Sequence, residues 1–159
     1  MNTASTHELG LTRPWYLVGD WEGTGKGPDF RFHARATYSY ILNDYFLAGY
    51  VEINDLNSGE VLMAERTYFY FDRNLKSLVS DAFRQDGMVE HALGHTDAHG
   101  RIVLTTDRLS CVPKQMSICR LRRTVWVMAA PQWAFSIEKD SGEGFAPYLE
   151  GQMRKPGNR

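Results

Sequence analysis

Cysteine is scarce in this chain: Cys111 and Cys119 are the only two among 159 residues. Two thiols cannot supply a disulfide framework, and they lack the Cys-x-x-Cys spacing of redox or zinc motifs, so thiol and structural-zinc chemistry are disfavoured. They flank the Pro113 turn, where a hairpin would bring them together. The polar segment Met1 to Leu11 lacks a secretory pattern, however, and the expectation is reduced thiols in a cytoplasmic protein. Long apolar runs are missing too, since no stretch approaches the roughly 18 residues of a membrane helix. Charge of one sign is not in excess: 18 Lys and Arg stand against 19 Asp and Glu, without long blocks. Nucleic acid and anionic membranes are therefore disfavoured as partners. No phosphate-binding loop, dinucleotide fingerprint, nucleophile elbow or metalloprotease helix is present. No ten-residue window carries a 3.6-residue apolar stripe, so helix is expected to be scarce.

What the chain does have is regularly spaced turn chemistry. Gly25 to Pro28, Asn43-Asp44, Asn57-Ser58-Gly59, Asp72-Arg73-Asn74, Asp86-Gly87, Asp97 to Gly100, Pro113-Lys114-Gln115, Pro131 and Ser141 to Gly144 punctuate it. The segments between them are rich in Val, Ile, Thr, Tyr, Phe and Trp and read as strands. They cover approximately residues 19–25, 30–42, 45–54, 61–72, 77–84, 88–95, 102–107, 118–128, 133–139 and 148–154. So long an antiparallel meander seldom stays open, because closing into a barrel removes its edges. The expected organisation is a flexible N-terminus over residues 1–13 and one barrel domain over 14–155, with a short helical turn at 14–18. A barrel of about ten strands encloses more space than side chains fill, which points to a cavity for a small molecule. The irregular stretch 109–117 is a lid candidate at one mouth, or a plain hairpin loop.

In Gly19-Asp20-Trp21-Glu22-Gly23-Thr24-Gly25 three glycines surround one tryptophan. The pattern resembles the Gly-x-Trp-x-Gly signature on the first strand of calycin-type barrels, the group of lipocalins, fatty-acid-binding proteins and nitrobindins. Tyr45 to Gly49, the run Tyr68 to Asp72, and Ser80-Asp81 are similar to the lipocalin-like family known as domain of unknown function 1579. These resemblances imply an all-β, up-and-down calycin-like barrel with a cavity. Nitrobindins hold haem through a histidine in the C-terminal part of the barrel. Here no histidine follows His99, so the matching ligand is absent and no cofactor is expected.

Alternation along strands singles out polar residues on otherwise apolar faces. Arg123 lies in the series Cys119, Leu121, Arg123, Val125, Val127. Facing inward, it offers a planar fork to a ligand anion or pairs with an internal acid. Asp81, in the series Val79, Asp81, Phe83, is the expected internal partner, or a general base if desolvated. Glu65, between Met63 and Thr67, is a third candidate. His91 is a candidate cavity-lining hydrogen-bonding group. A metal site built on His91, His95 and His99 is not expected, because strand geometry puts the first two about 13 Å apart. Phe30, Phe32, Tyr38 and Tyr40 alternate with polar residues, which places the aromatic series inside, with Tyr38 and Tyr40 offering hydroxyls. The expected function is binding of a small, mainly apolar or amphipathic ligand. The alternatives are a cofactor-independent cyclase, isomerase or hydratase using Asp81, Glu65 or His91, and a filled barrel that forms a homodimer.

Overall fold

A computed structural model describes residues 15–110, 119–129 and 131–157. After one 3-10 turn, Trp15–Leu17, the chain forms ten strands: β1 (Gly19–Lys26), β2 (Arg31–Ile41), β3 (Phe46–Asp55), β4 (Val61–Asp72), β5 (Ser77–Arg84), β6 (Val89–Thr96), β7 (Ile102–Ser110), β8 (Arg120–Val127), β9 (Trp133–Asp140) and β10 (Phe145–Arg154). Each strand pairs antiparallel with its neighbours in sequence. β1 also pairs with β10, from Glu22 opposite Arg154 to Lys26 opposite Glu150, and the sheet closes. The all-β ten-stranded barrel expected from turn spacing is the fold observed. The lid candidate falls mostly on residues 111–118, and Cys111 with it, outside the described residues. No helix among the described residues is long and apolar enough to cross a membrane.

The regular punctuation has a repeated physical cause. At the ends of β3, β4 and β9, and just after β6, an aspartate turns its carboxylate onto the following backbone. Asp55 accepts from the N–H groups of Asn57 and Ser58, and Asp72 from those of Asn74 and Leu75. Asp97 accepts from His99 and Arg101, and Asp140 from Gly142 and Gly144. A short carboxylate next to a strand end thus satisfies donors that the reversal of the chain takes out of the ladder.

Inside, alternation builds the wall of the core. In β2, Phe32, Ala34, Ala36 and Tyr38 are buried while Arg31, Arg35, Thr37 and Ser39 are exposed. Trp21 packs edge-on against Trp133, with ring centroids 5.8 Å apart. Tyr38 bridges Trp133 and Phe69, at 6.3 Å from each. This aromatic group is accommodated because Gly49 faces Tyr38: a Cβ there would lie 2.3 Å from the Tyr38 ring. The Trp21 indole N–H donates to the Leu17 carbonyl at 2.6 Å, tying the 3-10 turn to the barrel.

One part of the wall is paired differently. β7 and β8 share ladder positions only from Ile102 to Thr105, opposite Val125 to Arg122. The next step is made by a side chain, since the Thr106 hydroxyl accepts the Leu121 N–H at 2.8 Å. Arg120 Nε then donates to the Thr106 carbonyl at 3.2 Å.

Candidate functional site in the barrel interior

The inward series of β4, β6, β7 and β8 bring five polar side chains together. Arg123 points in between Leu121 and Val125. Its Nη1 bonds Glu65 Oε1 on β4, and its Nη2 lies 3.1 Å from Glu65 Oε2. The same Nη2 lies 3.2 Å from Glu90 Oε1 on β6. Glu90 is fixed in turn by the Thr106 hydroxyl, which donates to its Oε2 at 2.7 Å, and Thr67 donates to Glu65 Oε1 at 3.4 Å. Both carboxylates are almost wholly enclosed, with side chains 4 % and 3 % exposed. A carboxylate in such surroundings is tolerable only when paired and hydrogen-bonded. Burial alone would lower the Arg123 pKa, but Glu65 and then Glu90 outweigh it and hold the guanidinium above the ordinary arginine value. Burial, followed by the neighbouring Glu65 charge, pushes the Tyr38 hydroxyl well above the usual tyrosine range.

The sequence candidates divide between the two faces of the wall. Arg123, Glu65, Tyr38 and Tyr40 occupy inward positions. Asp81 and His91 do not, which corrects both the expected Asp81–Arg123 pair and the cavity-lining role of His91. The register pairs Asp81 with Tyr68 and His91, all on the outer face. There, Asp81 Oδ1 lies 2.6 Å from His91 Nδ1, and the Tyr70 hydroxyl donates to Asp81 Oδ2 at 2.8 Å. The reason is the register with β4. β4 fills the interior with Phe69, Thr67 and Glu65, and the positions opposite on β5 are Ser80, Ala82 and Arg84. Val79 and Phe83 alternate with these positions and lie on the outer wall, where Phe83 meets the Tyr68 ring edge-on at 6.0 Å. Glu90, the second carboxylate of the cluster, escaped the sequence reading. Its signal is the inward series it belongs to, with the small residues Ala92 and Gly94.

Burial among the inward side chains is uneven. Tyr40, Val51, Met63, Val125, Phe135 and Tyr148 pack against the core yet remain only partly buried. The Arg123 side chain, pointing inside a closed ring of strands, is 14 % exposed. At the end of the barrel that carries the 3-10 turn, a recess of about 220 Å³ is lined by Tyr16, Val18, Trp21, Val127, Trp133 and Lys155. A larger polar groove of about 500 Å³ lies on the outer wall among His95, Arg101, Thr105, Arg122 and Glu138. Its arginines are already engaged, Arg122 by Glu138 at 2.7 and 2.9 Å and Arg101 by Asp97 at 2.7 Å.

A closed up-and-down barrel of ten antiparallel strands, with a polar cluster set among inward aromatic and aliphatic side chains, defines a calycin-like ligand-binding barrel. Residues 11–155 match the family of the THAP4-like, heme-binding beta-barrel domain, and the chain belongs to that family. Its fold is similar to that of Rv2717c from M. tuberculosis, whose crystal structure superposes with a TM-score of 0.72 at 18% identity, covering 88% of this chain and 92% of that one. No curated protein matches the chain.

The family name raises haem, and the donor set is the test. Haem iron is most often held by a histidine, otherwise by a thiolate, thioether or phenolate. Among the described residues no histidine faces the interior. His33 and His91 alternate with the buried inward residues of β2 and β6, His95 follows inward Gly94, and His99 sits in the turn after β6. Tyr38 does face in, but burial, followed by the Glu65 charge, raises its hydroxyl pKa and disfavours the phenolate that iron would need. The described interior does not fit a histidine-ligated haem.

Proposed function

We propose that this chain binds a small, mainly apolar molecule inside the barrel. The observation that carries this reading is the partial exposure of side chains that point inward, from Tyr40 and Val51 to Val125 and Phe135. Phe32 and Ile53, by contrast, are 0% and 1% exposed. Cavities of this kind, mostly apolar with a few placed polar groups, are the usual setting for small-molecule recognition. Arg123, Glu65, Glu90 and Tyr38 are the polar groups placed to orient the ligand.

Binding is favoured over acid–base catalysis by the state of the interior acids. Glu65 and Glu90 each bond to Arg123 and each accept a threonine hydroxyl. A carboxylate whose oxygens are already bonded to a guanidinium and a threonine hydroxyl is not free to reach a substrate. The test is titration with the neutral fluorophore N-phenyl-1-naphthylamine. A saturable rise in emission at one probe per chain is expected, abolished in Val125→Trp, which fills the space while circular dichroism confirms the β fold. No rise, together with no small molecule retained in native mass spectrometry, overturns the reading.

A further inference from the structure

Resting on that binding reading, the polar atoms of the interior define the charge of the molecule they accept. Arg123 is the cation that a ligand carboxylate would seek, and both of its Nη atoms are taken. Glu65 occupies both and Glu90 shares Nη2. A ligand carboxylate entering here would meet two existing carboxylates and no uncommitted guanidinium. The other inward cations offer little. Arg84 is tied to Asp86 at 2.7 Å, and the Lys139 ammonium sits on the Tyr148 ring, 3.6 Å from its centre.

The unmet hydrogen bonds point the same way. Among the described residues, three buried side-chain polar atoms lack a partner: Arg123 Nε, Arg84 Nε and Trp133 Nε1. All three are N–H donors, and all three belong to inward-facing residues. Buried donors of this kind are normally satisfied, so an interior whose orphans are all donors is complemented by a molecule that brings acceptors.

We infer that the interior selects an uncharged ligand carrying hydrogen-bond acceptors, such as a ketone or ester on an apolar body, and turns carboxylates away. The wall supplies N–H groups for a carbonyl oxygen, and Glu65 and Glu90 repel an anion. Selection of this sort rests on a repulsive element as much as on an attractive one.

The test is displacement of N-phenyl-1-naphthylamine by 2-decanone and by decanoate at pH 8, two probes of equal length with decanoate fully ionised. The expected result is that 2-decanone displaces the probe at concentrations at least about tenfold lower than decanoate. In Glu90→Gln, which removes one negative charge and loosens one arm of Arg123, decanoate is expected to improve and the gap to narrow. Decanoate binding as well as or better than 2-decanone in the wild-type protein overturns this inference while leaving the binding reading intact. An unchanged gap in folded Glu90→Gln overturns it as well. If the fluorophore fails to bind and native mass spectrometry finds no retained small molecule, the binding reading falls and the inference with it. The wild-type comparison decides the matter even if the variant does not fold.

Discussion

Two hydrogen-bonded clusters built around carboxylates stand back to back across the same wall, and they differ in their access to water. Inside, Glu65, Arg123 and Glu90 have side chains 4 %, 14 % and 3 % exposed. Outside, Asp81 and His91 are 28 % and 20 % exposed, with Tyr70 as their third member. Water screens the outer group, so its pairing contributes little to stability. The inner group has exchanged water for its own members, and each member is indispensable to the others. What a charged pair contributes is thus set by which way its strand faces.

The sharpest way to break this contrast is to remove the inner cation. Arg123→Leu leaves Glu65 and Glu90 enclosed without a counter-charge and is expected to cost about 3–5 kcal/mol in urea unfolding. Replacing all three with apolar residues, Arg123→Met with Glu65→Leu and Glu90→Leu, is expected to recover most of that loss, since no unpaired charge remains. Failure of the triple variant to recover would mean that the cluster also fixes the packing around it.

A smaller effect is expected one step outward from the ions. Thr106→Val deprives the Leu121 N–H of its acceptor and Glu90 of a donor, at a cost of about 1–3 kcal/mol. Amide exchange at Leu121 should accelerate more than exchange within the β2–β3 ladder. On the outer wall, Asp81→Asn is expected to cost less than about 1 kcal/mol by the same urea measurement. A loss as large as that of Arg123→Leu would erase the distinction between the two faces.

The mildest test uses pH. Burial, and then the bond to Asp81, raise the Tyr70 hydroxyl from 10.0 to about 12. The folded protein therefore holds this proton more tightly than the unfolded chain. The resulting stabilisation is complete below the unfolded value and is lost as pH rises through the folded one. Tyr70→Phe should flatten part of the fall in melting temperature between pH 10 and about 12, leaving neutral pH little changed.

The fold was legible in the sequence because its cause is local: Asp55, Asp72, Asp97 and Asp140 each close a turn with their own neighbours. The inward direction of β2 was legible too, because Phe32 and Tyr38 alternate with Arg31, Arg35 and Ser39. On β5 the same rule misleads. Val79 and Phe83 are the apolar series, but they face outward, since the register sets Ser80 and Ala82 opposite the inward Phe69 and Thr67 of the neighbouring strand. Facing on β5 is a property of two strands together, and one strand's pattern does not contain it. The partners of Arg123 lay equally out of reach, because Glu65 is 58 positions away and no periodicity links them. Glu90 was overshadowed by the adjacent His91, whose chemistry attracts attention but whose side chain lies on the wrong side of the sheet.

The seam between β7 and β8 is fastened from within. Where the ladder runs short, the Leu121 amide hangs on the Thr106 hydroxyl, that hydroxyl on Glu90, and Glu90 on Arg123. The container and its contents are therefore mechanically one piece: loosening the cluster slackens the wall, and a molecule that braces the cluster stiffens it. Occupancy of the interior becomes audible from outside, as slower exchange of a single amide at the seam.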